Sequence, residues 1–214
     1  MKQAERRNKS TEKLIRAYLE LASERGVASI TFDSIGERAG YSRGLAFQKF
    51  GSKDGLLEAV INYLHGEVER AREVSHAEGN CGLEALIQFC RLHLLSDEGS
   101  HEMRAYFILM SSAVAEQSDM ARHFNESHKR SKAMIMSIIG AGIEDGSIRE
   151  DVDAEKLALL VGTQLMGITT QAIIDPNLEA PAMFEALKRQ ILQAYGTPEG
   201  IRRVEASIAV PVSS

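Results

Sequence analysis

The chain has 214 residues, with 25 Lys and Arg against 30 Asp and Glu, for a formal charge of −5. Its length holds one large domain or two small ones, and 44% hydrophobic with 26% charged residues excludes a disordered or collagenous chain. The acidic balance, taken whole, argues against a nucleic-acid binder, while four prolines, 6% aromatics and no Trp favour helices over a β-sandwich.

Apolar residues recur at three- and four-residue steps almost throughout, and no segment alternates, which predicts an all-α chain. Leu14, Ala17, Tyr18, Leu21 and Ala22 form a first stripe, ended by Gly26. Thr31 caps a short helix to Ala39, Gly40 turns the chain, and Ser42 caps a second short helix to about Lys49. Ser52 caps a longer helix from Lys53 to about Glu73, closed by the break at 78–82. Further helices are predicted near 83–96, 101–116, 119–145, 153–175 and 180–196. Thr197 with Pro198 allows one further turn before a loose tail. The expected domains are 1–60, 61–197 and a tail over 198–214.

Two short helices around a glycine turn describe a helix-turn-helix. Ile35 and Ala39 on one helix and Leu45 with Phe47 or Phe50 on the next supply its apolar contacts. Ser42, Arg43, Gly44, Gln48 and Lys49 then fall on or near the outer face, where Arg and Lys can reach guanine or phosphate and Gln can pair with adenine. Gly44 costs about 1 kcal/mol relative to Ala inside a helix; either backbone approach to DNA or tight helix packing accounts for it. The charge is also uneven: residues 1–60 hold 11 Lys/Arg and 8 Asp/Glu, or +3, leaving −8 on the rest. Six of the basic residues lie in the first 16 positions, suited to gripping phosphates.

Residues Thr31-Phe32-Asp33-Ser34-Ile35-Gly36-Glu37-Arg38-Ala39-Gly40-Tyr41-Ser42-Arg43-Gly44 and Phe50-Gly51-Ser52-Lys53-Asp54-Gly55-Leu56-Leu57 resemble the TetR family of transcriptional regulators. The resemblance covers roughly 11–60 and implies a ligand-responsive repressor that binds a palindromic operator as a homodimer. It further implies phosphate contacts from Lys53, from Thr31 or Ser34, and from the basic arm. Two positions depart from the family pattern: Phe47 lacks the hydroxyl that relatives can offer a phosphate, and Lys49 stands where His is frequent. Arg43 and Gln48 are the candidates for base reading.

Beyond residue 60 the resemblance implies a helical effector and dimerisation domain. Val161, Leu165, Ile168, Leu187 and Ile191 are its candidate dimer residues, although the same stripes also suit an intramolecular core. Phe89, His93, Phe107, Met110, Ile138 and Gln164 are candidates for a pocket taking a small apolar effector; Met at helical spacing suits core filling equally well.

No enzyme, metal or cofactor motif emerges. His123 and His128 are five apart, off the spacing of a helical metal pair, and Gly140-Ala141-Gly142 follows a helix rather than a strand. Cys81 and Cys90 make no disulfide framework. The basic N-terminus leads into no apolar segment, and the apolar stretch 157–174 is interrupted by Gly, Thr and Gln. A cytoplasmic protein without membrane contact is the expectation. A helical protein that binds or processes a hydrophobic metabolite, without DNA, is the alternative.

Overall fold

The computed structural model describes residues 2–27, 29–64, 81–95, 99–115, 121–175 and 177–208; the side chains of 2–7, 99–103 and 208 fall outside the description. The described residues are helical, with no strand and a single isolated bridge between Ile148 and Gly196. The helices are α1 (Lys2–Arg25), α2 (Phe32–Ala39), α3 (Arg43–Phe50), α4 (residues 53–64), α5 (Gly82–Leu95), α6 (Gly99–Ala115), α7 (Ala121–Glu144), α8 (Ala154–Ile174), α9 (Ala180–Tyr195) and α10 (Pro198–Ile208). The expected far end of α4, 65–73, lies outside the described residues.

Two compact units divide the chain: residues 1–68 with 98–127, and 69–97 with 128–214. In the first unit the buried stripe of α1 (Leu14, Ile15, Tyr18, Leu21 and Ala22) packs with Ile35, Ala46, Leu57 and Ile61, and with Ala105, Leu109 and Phe124 of α6 and α7. The periodicity of α1 supplies that stripe, and Gly26 ends the helix at φ 75°, where a side chain would be strained. Arg38 of α2 forks onto Glu24 of α1 at 2.7 and 2.8 Å and reaches Glu20 at 3.2 Å. That guanidinium holds the Glu24 carboxyl below the usual carboxylate range.

The second unit closes around a backbone knot. The Asp145 carboxylate accepts from the Gly82 amide at 2.7 Å and the Ser147 amide at 2.8 Å. Burial alone would raise its pKa, but these hydrogen bonds prevail and lower it. Gly82 and Gly142 pass so closely that a Cβ on Gly82 would lie 2.2 Å from the Gly142 nitrogen. The core beside the knot joins Leu83, Leu86, Cys90, Ile139, Ile148, Val161, Leu165, Phe184, Leu187 and Ile191.

The loose tail expected over 198–214 is helical where it is described, and 209–214 lie outside the described residues. Residues 198–208 make α10, capped by Thr197, whose Oγ1 accepts from the Gly200 amide at 3.0 Å. Val204 is buried in the second core and Gly200 lies against the Ser147 backbone, which gives the segment a tertiary anchor that weak patterning concealed. α8 is long and apolar enough to cross a membrane by length and composition. Its stripe Leu157, Ala158, Val161 and Leu165 lies in the second unit's core, which is also how a core helix earns such a composition.

Candidate nucleic-acid interface and effector region

The α2–α3 pair is held by backbone proximity and a small apolar contact. Gly36 is the contact point: a Cβ there would come within 2.8 Å of the Tyr41 carbonyl oxygen. Gly40, at φ 75°, donates its amide to Glu37 and turns the chain. The fully buried apolar partner inside α3 is Ala46; of the expected contacts, Leu45 is half-buried and Phe50 packs half-buried against the core, whereas Phe47 is exposed. A methyl group at position 46 lets α3 lie close to the core.

The consequence is a sharp division of α3. Leu45, Ala46, Lys49 and Phe50 lie toward the protein, whereas Arg43, Gly44, Phe47 and Gln48 are exposed. Residues three and four apart share a helix face, so these four form one outward surface. Lys49, expected on that surface, is half-buried on the flank because it follows Ala46 by three positions. Ser42 caps α3, its hydroxyl accepting from the Leu45 amide at 3.3 Å, and leaves the positive end of the helix beside the outward residues. Arg43 pairs with Asp33 of α2 at 3.3 Å, with both side chains largely exposed.

Gly44 has nothing against it except Ser42 Oγ, which a Cβ would approach only to 3.8 Å. Tight intramolecular packing therefore does not account for this glycine. Thr31 and Ser34 form a capping box: Thr31 Oγ1 accepts from the Ser34 amide at 3.2 Å, and Ser34 Oγ accepts from the Thr31 amide at 3.0 Å. Both remain at the α2 N-terminus, with their hydroxyls already committed to local bonds. Lys53 is exposed at the start of α4. Beside it Asp54 is gripped by His123 at 2.9 Å and Arg122 at 2.6 Å, which together hold its carboxyl below the ordinary range. No pattern in the sequence pointed to that cluster, since its members are almost 70 positions apart. Of the basic arm, Lys9 and Lys13 are exposed on α1, and Arg16 pairs with Glu12 at 3.3 Å; the side chains of Lys2, Arg6 and Arg7 lie outside the description.

Residues 14–60 match the family model described as bacterial regulatory proteins, tetR family, and residues 83–196 match that of the BetI-type transcriptional repressor, C-terminal. The second match alone spans more than half of the chain. The chain belongs to the TetR family. Among curated relatives, the transcriptional repressor KstR2 of Rhodococcus jostii is 26% identical over 147 residues, 63% of this chain and 66% of the relative. The transcriptional regulator BetI of Stenotrophomonas maltophilia is 40% identical over 60 residues, 28% of this chain and 31% of the relative. The chain is thus aligned to just under two thirds of the first and a third of the second. A solved TetR-family regulator structure from Rhodococcus sp. superposes with a TM-score of 0.78 at 19% identity, covering 86% of this chain and 97% of that one. The helix-turn-helix followed by a helical domain is therefore the TetR-family fold.

The candidate pocket residues are divided between the two units. Phe89, His93 and Ile138 belong to the second unit, Phe107 and Met110 to the first, and Gln164 lies on the outward side of α8, where its amide donates to Gln190 at 3.0 Å. His93 stacks at a tilt on Phe89, with centroids 6.3 Å apart. The residue is partly exposed, yet its Nε2 is shielded and has no hydrogen-bond partner among the described residues. Desolvation pushes its pKa down to about 4, so the ring is neutral at physiological pH.

The candidate dimer residues also need correction. Val161, Leu165 and Ile191 are buried inside the unit's own core and offer no surface to a second copy, and Leu187 is buried there except where it floors the groove beside Ile168. Ile168 is half-buried and reaches the outward side, where it joins a groove of about 360 Å³ with Gln164, Gly167, Gln171, Met183, Leu187 and Gln190. Leu160, half a turn from the core stripe, is 50% exposed. The apolar stripes read from the sequence are real; their partner lies in the same chain. Among the described residues no group of three or more His, Cys, Asp or Glu stands ready to hold a metal.

Proposed function

We propose that the chain is a ligand-responsive transcriptional repressor that binds a palindromic operator as a homodimer. The observation that carries the reading is the outward surface of α3: Arg43, Gly44, Phe47 and Gln48 stand together in solvent beside the Ser42 cap. A structural helix-turn-helix has no need of an exposed glycine without packing neighbours or of an exposed aromatic ring. Arg43 and Gln48 read base edges; Lys53, Lys49, the arm and the α2 N-terminus at Thr31 and Ser34 meet phosphates. The +3 charge of residues 1–60 suits that role despite the acidic whole.

The outward face of α8 and α9, running from Leu160 through Gln164, Gly167 and Gln171 and across to Met183 and Gln190, is the surface assigned to the second copy. Exposed apolar side chains on this face, Leu160 and Met183, suit contact with a partner, and a two-fold pair of α3 helices demands a two-fold operator. A small apolar effector binds in the second unit, beside Phe89, His93 and Ile138. It acts by favouring a spacing of the two α3 helices that does not fit successive major grooves. The protein works in the cytoplasm, on duplex DNA, without catalysis, cofactor or metal.

Selection from random duplex DNA tests the reading together with sedimentation of the purified chain. The expected results are an enriched palindrome and a dimer. A monomer with no enriched sequence at low salt overturns the proposal and favours a metabolite-binding helical protein.

A further inference from the structure

We infer that Phe47 reads the C5 methyl group of a thymine in the operator, an inference that rests on the DNA-binding role of α3. Phe47 is 55% exposed, among the largest apolar surfaces offered to solvent by the described residues, and it occupies the outward face between Arg43 and Gln48. Its ring makes an edge-to-face contact with Phe32 of α2, with centroids 5.6 Å apart and planes at 87°. That contact limits ring motion while leaving the remaining surface bare. Three positions earlier, Gly44 carries no side chain, and the space above it is open. A bare backbone at 44 lets the helix settle close to a groove floor, which brings the exposed ring at 47 within reach of base edges.

The ring carries no donor or acceptor. It therefore cannot bond a phosphate or a polar base edge. In the major groove the apolar group that distinguishes one base from the others is the thymine methyl. Burying that methyl against the ring removes apolar surface from water on both sides. The gain from one buried methyl corresponds to about four-fold in affinity per half-site, and so to roughly 15-fold for a symmetric pair.

The test replaces thymine by uracil, one symmetric pair at a time, across the selected operator, which deletes only the methyl. The wild-type chain should lose roughly 15-fold at one pair of positions and little elsewhere. Phe47→Ala should bind thymine and uracil operators equally, and Phe47→Tyr should keep the discrimination because its ring face is unchanged. Phe47→Leu serves as a second variant should the alanine variant not fold, and should retain part of the preference. The inference is overturned if no uracil pair weakens the wild-type chain or if Phe47→Ala still discriminates. Uniform weakening of Phe47→Ala on all sequences also overturns it, since the ring would then be packing on sugar and backbone. Failure to enrich any operator removes the DNA-binding role itself, whereas an operator without methyl dependence removes this inference alone.

Discussion

The two units carry their candidate function in opposite ways. In the first, the groups that matter stand in solvent on a short helix held by local devices: a serine cap at 42, a capping box at 31 and 34, and a left-handed glycine at 40. In the second, the corresponding groups are a shielded imidazole and a half-covered helix face, in a unit tied together by contacts between distant residues such as Gly82 with Asp145, 63 positions apart. A surface that reads DNA has to be exposed before its partner arrives. A region that responds to an apolar molecule or a second copy has to be shaped by its own packing. Damage to the first should therefore reduce binding while sparing the fold, and damage to the second should reach the fold first.

The strongest challenge to that contrast is Gly82→Ala. Its added methyl would fall 2.2 Å from the Gly142 backbone, which no rotamer change relieves. We expect a loss of about 3 kcal/mol or more, read by urea or thermal unfolding. A variant of near wild-type stability would show that the knot does not organise the second unit.

Acid should separate the units next. The His93 pKa of about 4 lies below the ordinary value of 6.5, so the unfolded chain takes up the proton first. The stabilisation is fully present above about pH 6.5 and is lost as pH falls toward 4, amounting to roughly 2–3 kcal/mol across that window. His93→Leu should flatten the slope between pH 6.5 and 4. An unchanged slope would move its origin to other groups.

Arg43→Ala should lower affinity for the selected operator roughly 10- to 100-fold at low salt and relax preference at one base position, with thermal unfolding unchanged. Lys53→Ala should instead weaken all sequences together and reduce the salt slope by about one. Identical behaviour of the two variants would erase the distinction between reading and positioning contacts.

The smallest effect has the most telling sign. Gly44→Ala meets open space, so it should stabilise the fold by about 0.5–1 kcal/mol while weakening operator binding. Loss of stability, or unchanged binding, would return Gly44 to a structural role.

What could be read in the chain itself was local. Helix ends at Gly26, Gly40, Ser42 and Asp153 are set by glycine conformation and side-chain caps within a few residues, and predicted and observed helices in the rest of the chain agree closely. The outward placement of Arg43, Gly44 and Gln48 was accessible for the same reason, because a short helix with one buried alanine has few ways to face. Lys49 was misplaced by a fraction of a turn, which spacing cannot resolve without knowing that Ala46 is the inward residue.

The second unit was different. Periodicity identified the stripes containing Val161, Leu165, Leu187 and Ile191 but could not say whether the covering surface came from the same chain or another. An apolar stripe lowers its free energy equally well against either. Likewise the tail became α10 because Val204 found a core and Gly200 a close backbone, facts absent from its own weak pattern. The sequence by itself determined the helices before residue 197, the turn between α2 and α3 and the family they belong to, since caps, glycines and motif spacing act over a few residues. Tertiary structure alone decided which face of each helix was left for a partner, because burial is settled by residues that meet only after the chain has folded.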